Sequence, residues 1–173
     1  MDEVASHAVS ERLDGHLVRK HTQLSEAIAK ILRRLGHTAL TEQRSPEHDY
    51  FDRDRSTQHA AYMDIVSTIN GQKYNIDVSV TNALSDNEER LQARANADGK
   101  AARARGVEKI RRYGSTVIPF VLEAHGRLGS DATTFLNTIA PPEGRHEFFA
   151  EVYHTVQRIT AAHIADAIHA ATT

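Results

Sequence analysis

The sequence predicts a mixed-sheet α/β domain, and three observations predict it. Asn70-Gly71 stands between two runs rich in β-branched and aromatic residues, which demands an antiparallel hairpin. A helical stretch then leads to a further apolar strand, and a strand–helix–strand crossover sets its two strands parallel. Helical periodicity brackets both ends of the chain. At 173 residues the chain suits one domain, large enough to bury roughly 70% of its unfolded surface. We divide it into an N-terminal helical segment (1–36), a sheet-bearing core (37–129) and C-terminal helices (130–173).

In order, Leu13, Leu17, Leu24, Ala27, Ile28, Ile31, Leu32 and Leu35 recur at steps of about three and four, so 13–35 is expected to be helical. A break is allowed near His21-Thr22, and Gly36 is the stop. Thr38 to Thr41 reads as a short strand. Ser45 to Ser56, polar and carrying Pro46, reads as a solvated loop. Ala61–Ile69 and Lys73–Thr81 are the hairpin strands. In the second, Tyr74, Ile76, Val78 and Val80 share one face, and Asn75, Asp77, Ser79 and Thr81 the other. Asp86 to Tyr113 reads as a long helix with an interruption allowed at Asp98-Gly99, ended by Gly114. Thr116 to Ala124 is a strand whose Pro119 implies a bulge or an edge position. A short helix capped by Ser130 or Asp131 runs to Ile139, and Phe148 to Ala171 forms the last helix. The order is α-β-β-β-α-β, then helices.

Composition narrows the chemistry. No cysteine is present, which excludes disulfides, thiolate nucleophiles and Cys-ligated zinc or iron–sulfur sites. No apolar run approaches the ~18 residues of a membrane span, and Met1-Asp2-Glu3 lacks the pattern of a secretory signal. An intracellular location without membrane association is expected. The net charge of −2 gives no generally basic coat.

Asp64 and Asp77 sit mid-strand among Met63, Ile65, Ile76 and Val78, where aspartate is disfavoured and its desolvation needs an offsetting partner. Pairing about the two-residue turn places 64 opposite 77. Two carboxylates so close repel unless a divalent cation bridges them, and oxygen-only ligation suits Mg²⁺, with Mn²⁺ as a substitute. The competing reading is structural: one Asp at a strand end, the other paired with an arginine.

These residues carry a resemblance. The element order, Asp64 followed by 12 residues and Asp77, and then Lys109-x-x-x-Tyr113 resemble the PD-(D/E)XK restriction-endonuclease-like nucleases. Within them, the pattern is similar to the endonuclease domain of non-LTR retrotransposon polyproteins, whose upstream segment resembles Arg19-Lys20-His21. The resemblance spans roughly residues 16 to 168. Met63 stands where that family has Pro, and Ser79 where it has a strand lysine. The resemblance implies a restriction-endonuclease-like core and hydrolysis of DNA phosphodiesters. It also implies that Asp64, Asp77 and the Val78 carbonyl hold Mg²⁺, with Lys109 supplying the ammonium and Tyr113 beside it. Glu42 is the candidate third metal ligand, with Glu26 as competitor. A eukaryotic retroelement domain would be nuclear.

From residue 90 to 112 eight basic residues face only Asp98 and Glu108. Arg90, Arg94, Lys100, Arg103, Arg105, Arg111 and Arg112 are the candidate DNA contacts, since a local field suffices to steer a phosphate backbone. An ordinary solvated helix face is the alternative. Few aromatics lie in that stretch, so no stacking platform is expected. The 11 histidines lack metal-ligand spacing and read as dispersed surface residues. The leading expectation is a Mg²⁺-dependent DNA endonuclease. The alternatives are a nuclease-fold domain that binds nucleic acid or protein without turnover, and a metal-independent interaction domain. The last helix, with Phe148, Val152, Val156, Ile159, Ile164 and Ile168, serves either to cover the sheet or as a homodimer face.

Overall fold

The computed structural model describes residues 21–52, 56–81, 99–123 and 127–172. Helix α1 occupies 21–34. It buries Leu24, Ile28, Ile31 and Leu32, a stripe at three- and four-residue steps. Gly36 ends it at φ +84°, and its amide and that of His37 return to the carbonyls of Arg33 and Leu32, a Schellman closure. The positions expected to be helical before His21 lie outside the described residues.

Strands β1 (Thr38–Arg44), β4 (Tyr62–Ile69), β5 (Gln72–Thr81) and β6 (Val117–Glu123) form one sheet in the order β1-β4-β5-β6. The first two pairings are antiparallel and the last is parallel. This is the mixed α/β sheet read from the sequence. Asn70 and Gly71 both take positive φ (50° and 79°), as a tight hairpin turn requires. Pro119 lies on β6, an edge strand, where its missing N–H leaves no ladder bond unmade.

The 45–56 loop reading is corrected. A 3₁₀ turn (Pro46–His48) precedes a small hairpin of β2 (Tyr50–Asp52) and β3 (Thr57–His59). Ser45 and His48 are buried rather than solvated. The His48 ring bonds Ser45 Oγ at 2.9 Å and Thr116 Oγ1 at 3.0 Å, pinning this segment to the start of β6. Polar residues looked solvated because their partner lies 68 positions away.

One face of the sheet carries the main core. Ile65, Ile69, Ile76, Val78, Phe120 and Leu122 meet α1, helix α3 (Ser130–Ile139) and helix α4 (Arg145–Thr172). Phe148, Val152 and Val156 of α4 are buried in it, so the first half of this helix covers the sheet. The side chains of Ile164 and Ile168 lie outside the described residues. Helix α2 (Lys100–Tyr113) packs against β5 and β6 and brings Lys109 to the opposite sheet face, which bears Asn75, Asp77 and Ser79. Small residues allow the close approach: a Cβ on Gly106 would lie 3.7 Å from Pro119 and 3.1 Å from Asp131 Oδ2. Among the described residues no helix is long and apolar enough to cross a membrane.

Candidate active site at the fork of the sheet

β4 and β5 pair from Ile69–Gln72 only as far as Ile65–Ile76. Beyond that step β4 stays with β1 and β5 stays with β6, so the sheet forks. The expected register is right, but its extension to an Asp64–Asp77 pair is corrected: the ladder stops one step short. Asp64 is the reason. Its Oδ2 accepts the Val78 amide hydrogen at 2.6 Å, inserting a carboxylate where a strand carbonyl would otherwise sit.

His21, at the start of the described part of α1, reaches into this fork. Its Nε2 lies 3.1 Å from Asp64 Oδ2 and 3.0 Å from the Val78 carbonyl oxygen. Both neighbours are acceptors, so Nε2 carries the proton. The Asp64 hydrogen bond raises the imidazole pKa above 6.5, burial opposing it. The reading of His21 as a dispersed surface histidine is therefore corrected. Its only sequence signal was the Arg19-Lys20-His21 run, and the contact spans 57 positions.

Asp77, on the α2 side of β5, is nearly solvent-free. Lys109 Nζ is 2.7 Å from its Oδ2, and the Ser79 hydroxyl approaches the same oxygen at 3.5 Å. Burial is the largest influence on this carboxyl and raises its pKa; Asp64 adds to the rise, while Lys109 and His21 oppose it. Helix spacing places Tyr113 one turn beyond Lys109, whose ammonium stands 5.8 Å from the Tyr113 ring centre. The half-buried Tyr113 packs on Met63, Ala61 and Val117, and burial with the Asp77 charge raises its hydroxyl pKa. Lys109 and Tyr113 thus come together with Asp77, from a helix that begins some twenty residues beyond it in sequence.

Glu42 is exposed and lies within β1, not after it as expected, because β1 extends to Arg44. Its φ of +52° is uncommon for a residue with a side chain. It flanks a small cavity of about 10 Å³, room for one water-sized particle, with Glu26, Thr41, His21 and Asp64. Glu26 is already held by the Thr41 hydroxyl at 2.7 Å. Among the described residues no three His, Asp or Glu side chains are grouped to hold a metal ion. The expected set of Asp64, Asp77, Glu42 and the Val78 carbonyl is divided: Asp64 and Glu42 line the small cavity, while Asp77 faces Lys109.

Of the expected DNA contacts, Arg90 and Arg94 lie outside the described residues. Lys100, Arg103, Arg111 and Arg112 are exposed along α2. Arg105 and Arg112 share Glu108, at 2.6 and 3.4 Å, which reduces the field of that face. Tyr50 stacks on His59 and meets Tyr113 edge-on, and Arg112 lies over the Tyr50 ring, so α2 does have aromatic neighbours. Tyr50 comes from the segment read as a loop, and His59 from the strand just beyond it.

Compared with known proteins, the chain matches no family model, and no curated protein matches it.

Proposed function

We propose that the fork is the active site of a Mg²⁺-dependent endonuclease acting on DNA, of the restriction-endonuclease-like kind that the sequence resembles. One observation carries this reading: where the sheet opens, the buried Lys109–Asp77 pair lies within electrostatic reach of Asp64 and His21, and one point there already contacts two oxygens. That point is the His21 nitrogen, which touches Asp64 Oδ2 and the Val78 carbonyl as an electropositive group between two acceptor oxygens. A hard cation suits the same oxygens, so the donor set fits Mg²⁺ or Mn²⁺, with Asp64, Val78 and Asp77 as its holders; Glu42 lines a small cavity with Asp64 and His21. Bound there, the ion would supply an acidified water and neutralise charge building on phosphoryl oxygens.

The chain's own groups do the rest. Lys109, oriented by Asp77 and Tyr113, offers a fixed positive charge to the crowded phosphorus. Burial keeps water away from Asp77 and strengthens each of these interactions. Exposed Lys100, Arg103 and Arg111 on α2 steer the DNA backbone. Nicking within a retroelement cycle, a nuclear location and a homodimer through α4 belong to the same proposal.

A second reading has its own support. Lys109 already neutralises Asp77, and Ser79 replaces the strand lysine, which suits a domain that binds DNA or a protein without turnover. Nicking of supercoiled plasmid with Mg²⁺ or Mn²⁺, comparing wild type with Asp77→Ala, separates the two. Cleavage lost in the variant supports the nuclease. Cleavage that survives removes Asp77 from it, and salt-sensitive DNA binding without cleavage in either protein favours the second reading.

A further inference from the structure

Phe51 is 57% exposed on a hairpin only three residue pairs long. Its neighbour Tyr50 turns the other way and is locked down. The Tyr50 ring stacks on His59 with centres 5.1 Å apart and planes 14° apart, and meets Tyr113 edge-on at 5.6 Å. Arg112 spans both tyrosines, 5.3 Å from the Tyr50 centre and 5.9 Å from that of Tyr113. A continuous chain of contacts therefore runs from Asp77 through Lys109, Tyr113 and Tyr50 to the strand that displays Phe51. So short a hairpin is not independently stable, and these contacts fix it against α2. More than half of the Phe51 surface stays open to solvent.

We infer that the β2–β3 hairpin is a base-stacking element that presents Phe51 to an unpaired nucleobase beside the candidate active site. The inference rests on the nucleic-acid reading above and narrows its substrate to DNA with unpaired positions. A nucleobase is the occupant the surroundings favour. It is flat and offers a π face, and it comes with a phosphate that the exposed guanidinium of Arg111, at the hairpin end of α2, complements in charge. Bases inside an intact duplex have both faces occupied, so only an unpaired one gains from Phe51.

The test is fluorescence anisotropy without divalent metal, at fixed salt, on a duplex and on the same duplex containing a short bubble. Wild type is expected to prefer the bubble by roughly tenfold, Phe51→Ala to lose that preference while still binding duplex, and Phe51→Trp to restore it. Equal binding of both DNAs by wild type and Phe51→Ala overturns the inference and leaves the DNA reading standing. Binding of neither DNA overturns the DNA reading, and the inference with it. Self-association of the protein, abolished by Phe51→Ala with no change in DNA preference, assigns the patch to a second copy of the chain and also overturns the inference.

Discussion

Lys109 and Asp77 form an ion pair at 2.7 Å with side chains only 10% and 5% exposed. Pairs this deep seldom stabilise a fold more than apolar residues of similar volume would, but breaking one leaves a buried charge. Lys109→Met is therefore expected to cost roughly 3 kcal/mol in urea denaturation. The Asp77→Asn/Lys109→Met double variant should lose clearly less than the two single losses combined. Additive losses would mean that the two groups are not coupled.

His21 gives a pH signature. Its pKa is raised in the fold, so its stabilisation is complete below the unfolded value of 6.5 and is lost as pH rises through the higher folded value. The side chain is 38% exposed, so solvent screening limits the pH-dependent part to about 1 kcal/mol or less. The stability difference between wild type and His21→Ala should shrink as pH rises above 6.5. A difference that grows with pH would contradict the Asp64 contact.

Arg34 on α1 grips both carboxylate oxygens of Glu151 on α4, tying together two of the helices that cover the core. The guanidinium holds the Glu151 carboxyl below its usual range. Its contribution is present above the unfolded value of 4.5 and lost as pH falls through the lower folded value. Glu151→Gln should cost at most about 1 kcal/mol at neutral pH, and nothing once both forms are neutral in acid. Thermal melts across that range check it.

The hairpin turn sets the register that brings Asp64 to Val78. Gly71 takes φ +79°, where a Cβ meets no neighbour but the backbone itself is strained. Gly71→Ala is expected to cost about 1 kcal/mol in chemical denaturation. A neutral or stabilising result would mean that the turn relaxes freely.

The elements that chain-local physics governs were legible: the Asn-Gly turn, the parity of β5, the Gly36 stop and the edge placement of Pro119. Asp64 and Asp77 were also legible, because carboxylates inside apolar strands stand out without coordinates; Lys109 and Tyr113 were named by the family resemblance, and their i, i+4 spacing only places them on one helix face. What escaped depends on distance in sequence. His21 earns its place through a contact 57 positions away. The β2–β3 hairpin has strands of only three residues, below the length at which alternation can be read, and is held by Tyr113 and Arg112 from α2. The fork was hidden for another reason. A register sum cannot tell that a side chain has replaced a backbone acceptor.

The most direct test of the account is Mn²⁺ binding followed by electron paramagnetic resonance, on wild type and on Asp64→Asn and Asp77→Asn variants shown to be folded by circular dichroism. The account predicts saturable binding by wild type that weakens at least about tenfold in each variant, since each removes a charged ligand. Binding that is unchanged in both variants, or absent from the wild type, would contradict it.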